Sequence, residues 1–281
     1  MYTTLIECSS LLKNLSRPDY LVIDCRFNLS DPLWGQKAYQ QGHIPTAHYF
    51  HLDHDLSSPI TPLSGRHPLP DPIKLAKRLT DVGLSAKHQV VVYDESNGMM
   101  ASRAWWLLHW MGHEAVAVLN GGLAAWQSID APITTDLPTP QAAPLWTPSL
   151  VPSVISTEQL WLTAHPAWQL IDARAAERFR GEVEPIDPIA GHIPKALNRP
   201  LTDNLQADGR FKTPEQLKAG WLTLLNGKLP ENIVHMCGSG VSACHNILAM
   251  EVAGLTGSKL YAGSWSEWIR DPQRPVATGS Y

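Results

Sequence analysis

The sequence predicts an α/β fold built twice: two tandem domains, each a mostly parallel sheet flanked by helices. Three observations carry this expectation. Short apolar runs alternate with stretches of helical period along the chain, which is the pattern of strand–crossover–strand units. Four sequence blocks recur in the same order at offsets of 142 to 149 residues. A proline-rich segment separates the two sets.

The strands come first. Residues 20–24, 89–93 and 115–119 in the first half are short, mainly apolar runs, as are 168–171, 232–236 and 259–261 in the second. Such runs suit parallel strands covered on both faces. Residues 101–111 and 242–252 carry apolar side chains at helical spacing. Gly112 and Gly254 follow them as C-terminal stops, because glycine accepts the left-handed conformation there.

The repeats then define the halves. Tyr20-Leu-Val-Ile-Asp24-Cys-Arg26 resembles Gln169-Leu-Ile-Asp172-Ala-Arg174, and Gly42-His-Ile-Pro45 recurs as Gly191-His-Ile-Pro194. Val90-Val-Val-Tyr-Asp94 matches Ile233-Val-His-Met-Cys237, and Leu119-Asn-Gly-Gly-Leu-Ala-Ala-Trp126 matches Tyr261-Ala-Gly-Ser-Trp-Ser-Glu-Trp268. Four prolines between Asp136 and Pro148 remove backbone donors and block helix. The expected division is a first domain at 1–138, a linker at 139–149 and a second domain at 150–281.

Composition excludes several classes. With 281 residues, 44% hydrophobic and 17% charged, the chain can bury a real core. A net charge of −4 leaves no basic surplus for nucleic acid or anionic lipid. No run of about 18 apolar residues is present to span a membrane. Cysteines at only 8, 25, 237 and 244 are too sparse for a disulfide scaffold. The start of the chain lacks a basic region followed by an apolar one. A soluble, cytoplasmic monomer with reduced thiols is expected.

Ligands of open α/β sheets collect beyond the carboxyl ends of strands, and the loop after Met236 carries the chemistry. Cys237-Gly-Ser-Gly-Val-Ser242 links a buried strand to a helix. Gly238 and Gly240 allow turns in which successive N–H groups form an anion nest. The helix start adds its positive end. A cysteine there is expected to be largely thiolate near neutral pH. Other readings lack a part. Cys237 and Cys244 are seven apart, without the Cys-x-x-Cys of a metal or redox site. No Gly-Lys-Ser/Thr phosphate loop is present. A cysteine phosphatase needs a guanidinium at the end of the loop, where Ala243 stands. Asp24 and Asp172 are expected to brace strand–helix turns. His43 and His192, in identical turns, are expected to be structural. Cys244 is read as an inert helix cysteine.

The ordered set Ile171-Asp-Ala-Arg174, Gly191-His-Ile-Pro194, Cys237-Gly-Ser-Gly-Val-Ser242 and Tyr261-Ala-Gly-Ser-Trp-Ser-Glu-Trp268 is similar to that of rhodanese-like domains. The whole chain resembles the two-domain 3-mercaptopyruvate and thiosulfate sulfurtransferase family. The resemblance implies a catalytic second domain and an inert first one, in which Asp94 holds the place of Cys237. It implies that Cys237 takes a sulfur from a small-molecule donor as a persulfide and yields it to a thiol, thioredoxin or cyanide. No metal or organic cofactor is implied. The uncharged Cys-Gly-Ser-Gly-Val loop resembles the mercaptopyruvate type, whereas thiosulfate-type loops resemble Cys-Arg-Lys-Gly-Val. Ser239, His67 and Asp53 are implied as a proton-moving Ser/His/Asp set. Arg178 is implied to bind the donor carboxylate, with Gly238, Gly240, Val241 and Ser242 completing the loop. A second arginine expected after Glu184-Pro185 is replaced by Ile186, and Arg180 is the nearby candidate to compensate. The alternatives are a thiosulfate:cyanide sulfurtransferase and a non-catalytic rhodanese-like binding module.

Overall fold

The computed structural model describes residues 1–139, 143–163 and 168–280. They form two compact units. Unit 1 comprises Met1–Ser58, Leu69–Pro152 and Ala207–Phe211, and unit 2 comprises Pro59–Pro68, Ser153–Gln206 and Lys212–Tyr281.

This division departs from a simple split of the chain in two short segments. Residues 59–68 fold with unit 2, where the Gly65 and Arg66 amides bond to Glu267 Oε2 (3.3 Å) and Ser266 Oγ (3.0 Å). Residues 207–211 fold with unit 1, where the Phe211 amide bonds to Asn120 Oδ1 (2.9 Å). Residues 140–142 of the expected linker lie outside the described residues.

In unit 1 the order is β1 (Leu5–Ile6), α1 (Cys8–Asn14), β2 (Tyr20–Asp24), α2 (Trp34–Gln41), β3 (His48–Tyr49), α3 (Pro72–Asp81), β4 (Gln89–Tyr93), α4 (Ala101–Trp110), β5 (Val116–Leu119) and α5 (Gly122–Gln127). Its sheet is parallel with strand order β1-β5-β4-β2-β3. Ile6, Leu11, Val22, Val91, Leu119 and Trp126 centre its core.

Unit 2 repeats the plan with β6 (Gln169–Asp172), α6 (Ala176–Arg180), β7 (Leu197–Asn198), α7 (Pro214–Leu225), β8 (Ile233–Met236), α8 (Ser242–Val252), β9 (Lys259–Leu260) and α9 (Ser264–Trp268). The order is β7-β6-β8-β9, again parallel. Val234, Met236, Tyr261, Trp265 and Trp268 fill its core. Trp265 and Trp268, both buried, are packing residues.

Register places the site. Asp24 pairs with Tyr93 at the end of the β2–β4 ladder, and Asp172 pairs with Met236 at the end of β6–β8. The next residues, Asp94 and Cys237, therefore leave the carboxyl ends of equivalent strands. Gly112 (φ +88°) and Gly254 (φ +72°) take the left-handed stop after α4 and α8. Among the described residues no helix is long and apolar enough to cross a membrane.

Candidate active site

Features present in both units belong to the fold. Asp172 accepts the Arg174 amide (2.9 Å) and pairs with its guanidinium, which also reaches the Gly191 carbonyl (2.7 Å). Asp24, Arg26 and Gly42 make the same set. The His192 ring donates to the Phe179 carbonyl and the His43 ring to that of Tyr39, each at 2.7 Å. An arrangement shared by the unit with Cys237 and the unit with Asp94 in its place braces the turns of the fold.

The units differ where β4 and β8 end. In unit 1, Asp94 is fully buried, and its carboxylate accepts four amides. Ser96 and Gly98 bond Oδ1 (2.9 Å each), and Met100 and Ala101 bond Oδ2 (2.7 and 2.9 Å). The loop is a nest for an anion, and its own side chain fills it. Burial pushes the Asp94 carboxyl up from its ordinary value against the pull of those amides.

In unit 2 the same place holds Cys237, which is 2% exposed. The Gly240 amide donates to its Sγ at 3.2 Å. Gly240 has φ +79°, and a Cβ there would lie 2.4 Å from the Ala262 carbonyl oxygen, so only glycine fits. The positive end of α8 begins at Ser242. The first turn of α9 fixes the loop backbone: Cys237 N donates to Ser264 Oγ (3.1 Å), Trp265 N to the Cys237 carbonyl (3.0 Å) and Ser266 N to that of Gly238 (2.9 Å). Cys244 Sγ donates to the Gly240 carbonyl (3.3 Å). None of the four cysteines is in a disulfide.

Segment 59–68 brings two side chains to this loop. His67 Nδ1 meets Ser239 Oγ at 2.7 Å, with both residues buried. Arg66 faces Gly238: a methyl group on that glycine would stand 2.9 Å from Arg66 Nη2 and 3.7 Å from Arg178 Nη2. Both guanidiniums are held by carboxylates. Arg178 bonds Glu184 (2.6 and 3.2 Å) and Asp187 Oδ2 (3.3 Å), and Arg66 bonds Asp187 Oδ1. Burial pushes the Asp187 carboxyl up, against the pull of Arg66. Burial also acts to raise Glu184, but the Arg178 hydrogen bond and the Asp187 and Ile186 amides hold it below the usual carboxylate range.

Of the residues singled out in the sequence, Cys237, Gly238, Ser239, Gly240, Val241, Ser242, Arg178 and His67 all lie in unit 2. Asp53 lies in unit 1, where its amide donates to His51 Nδ1 (3.1 Å). Arg180 pairs with the exposed Glu182 and does not join Arg178. Arg66 was missed: its signal was a lone cation beside a candidate histidine. Among the described residues no group of three or more His, Cys, Asp or Glu side chains is arranged to hold a metal ion. The assembled parts are a thiol beneath an amide, a hydroxyl–imidazole pair and two guanidinium forks. These suit covalent chemistry on a carboxylate-bearing substrate.

Residues 7–129 and 157–271 each match the rhodanese-like domain model. The chain is 50% identical over 285 residues to a probable 3-mercaptopyruvate sulfurtransferase of Pseudomonas aeruginosa, covering 98% of both chains. It is 35% identical over 288 residues to the 3-mercaptopyruvate sulfurtransferase of Escherichia coli K12, again covering 98% of both. The crystal structure of the E. coli 3-mercaptopyruvate sulfotransferase SseA superimposes with a TM-score of 0.78 at 33% identity, covering 95% of this chain and all of that one.

Proposed function

The chain belongs to the rhodanese family, and from that premise we propose that Cys237 is the sulfur carrier of a sulfurtransferase whose donor is 3-mercaptopyruvate. The Cys237 thiolate attacks the donor sulfur. The donor carbon–sulfur bond breaks, and its electron pair leaves on carbon as the enolate of pyruvate. That enolate takes a proton from Ser239, which His67 replenishes. The sulfur stays on Cys237 as a persulfide beneath the Gly240 amide, an anion hole for sulfur. An acceptor thiolate or cyanide then attacks the outer sulfur, and Cys237 departs as thiolate. The two half-reactions give ping-pong kinetics. No step calls for a metal or organic cofactor.

Arg178 and Arg66 supply the carboxylate clamp. Arg66 takes the part that Ile186 cannot. The single observation that carries the reading is the Gly240 amide on Cys237 Sγ beside two guanidiniums at Gly238. On the same reading the chain acts as a cytoplasmic monomer, passing sulfur to a thiol, thioredoxin or cyanide. Two adjacent cations also suit a dianion, so thiosulfate is the second donor to test.

Intact-mass analysis after incubation with 3-mercaptopyruvate tests the proposal. The wild-type chain gains about 32 Da, one sulfur atom as persulfide, and Cys237→Ser gains nothing. A gain that survives the substitution places the sulfur elsewhere. The ratio of kcat/KM for mercaptopyruvate and thiosulfate decides the donor.

A further inference from the structure

The two copies of the last helix differ in a way the fold does not require. Helix α5 reads Gly122-Leu-Ala-Ala-Trp126, and α9 reads Ser264-Trp-Ser-Glu-Trp268. Their shared duties are matched. Leu123 N bonds the Asp94 carbonyl (2.9 Å) as Trp265 N bonds that of Cys237 (3.0 Å). Trp126 and Trp268 are both buried, and each indole N–H donates to a proline carbonyl at 2.9 Å. Yet Gly122, Ala124 and Ala125 stand where α9 has Ser264, Ser266 and Glu267. Because α5 forms without those polar groups, the hydroxyls and carboxylate of α9 serve something only unit 2 contains.

Their partners say what. Ser264 is a non-glycine residue in the left-handed region (φ +53°), where α5 uses Gly122 (φ +59°). Its hydroxyl accepts the Cys237 amide, so the strain is offset at the nucleophile. Ser266 Oγ accepts the Arg66 amide (3.0 Å), and Glu267 Oε2 accepts the Gly65 amide (3.3 Å). The other oxygen of Glu267 accepts the Thr157 hydroxyl, which is itself bonded to the Tyr261 hydroxyl (2.6 Å). One five-residue helix thus grips the nucleophile loop with its first residues and the segment carrying Arg66 and His67 with its next two.

We propose that Ser266 and Glu267 are positioning residues that set Arg66 and His67 against the Cys237 loop. This rests on the sulfurtransferase reading above and adds to it two residues that touch neither donor nor sulfur. Their removal shifts segment 59–68, which misplaces the carboxylate clamp and the proton source together. Cys237 keeps its own restraints from Ser264, Trp265 and Gly240.

The test compares wild type with Ser266→Ala, Glu267→Ala and Glu267→Gln. Three readouts are needed: KM and kcat with 3-mercaptopyruvate, the rate of Cys237 alkylation by iodoacetamide across pH, and persulfide mass. Glu267→Ala is expected to lower kcat/KM roughly ten- to a hundredfold, as small misplacements do, with KM rising. Its alkylation–pH curve stays on that of wild type. Ser266→Ala shows the same split at smaller size. Glu267→Gln keeps an oxygen for the Gly65 amide while the Thr157 hydroxyl turns to accept from the new NH2, and it restores most of the loss. Folded Ala variants with KM and kcat within about twofold of wild type overturn the proposal, as does a parallel fall of alkylation and transfer. If Glu267→Ala does not fold, Ser266→Ala decides alone. A wild-type chain that gains no sulfur removes the underlying reading, and the proposal with it; a wild type that gains sulfur beside unaffected variants removes only the proposal.

Discussion

Replacing Arg66 tests the carboxylate clamp most sharply. Its side chain is 24% exposed, and its guanidinium is paired with Asp187 and faces Gly238 beside Arg178. A hydrogen bond to a charged group contributes about 1.5–3 kcal/mol. At about 1.4 kcal/mol per tenfold, Arg66→Ala should lower kcat/KM for 3-mercaptopyruvate about 10- to 150-fold, mainly through KM. Part of that loss has a second source. Without Arg66, the buried Asp187 carboxylate is left with the longer pair to Arg178, at 3.3 Å, and its poorly compensated charge opposes the incoming donor. Adding Asp187→Asn to Arg66→Ala should therefore recover some affinity. Arg66→Lys keeps the charge without the fork and should fall between wild type and Ala. Because Arg66 and Arg178 share Asp187, the double Ala variant should lose less than the product of the single losses. Steady-state kinetics at saturating acceptor reads all of this. A folded Arg66→Ala protein whose KM stays within twofold of wild type refutes the clamp, as does a fall confined to kcat.

Ser239→Ala should lower kcat with mercaptopyruvate about 10²- to 10⁴-fold and spare thiosulfate, whose sulfite leaves without needing a proton; paired-donor kinetics checks this. Asp94→Asn should cost about 2–4 kcal/mol in denaturant unfolding, since its NH2 would face amide donors, while persulfide formation on Cys237 continues. Glu184 lies below the usual carboxylate range in the folded state, so its stabilisation is present above the unfolded value near about 4.3 and is lost as pH falls through the folded one. Glu184→Gln should accordingly flatten the acid limb of stability against pH, measured by thermal unfolding from pH 7 to pH 3.

The nucleophile loop was legible because its signal is local. A buried strand, a cysteine, two glycines and a helix start follow one another within a dozen residues. The longer strands and α4 and α8 were visible for the same reason, with ends that differ by about a residue; the 168–171 run, for example, forms its strand at Gln169–Asp172. Strands β1, β3 and β7 have two residues each, too few to show a period, whereas β9, equally short, lies within the expected 259–261 run. Two helices carried readable starts that went unused: Asp71 caps α3 ahead of Pro72, and Thr213 with Gln216 forms a capping box on α7. Arg66 was hidden for a different reason. Its partner is Asp187, 121 residues away, and no local pattern announces such a pairing. The expected cation at 186 is absent, and the Ile186 amide there bonds Glu184 (3.1 Å).

The fate of residues 59–68 bears on how this gene can be cut. A fragment beginning near residue 150 would hold Cys237 yet be born without His67 and Arg66, because both are encoded ahead of the linker. The reverse fragment would lack Phe211, whose amide answers Asn120. Deleting the first copy would therefore strip part of the second unit with it. Each half depends on a few codons of the other, so the repeat cannot be cut cleanly at its linker.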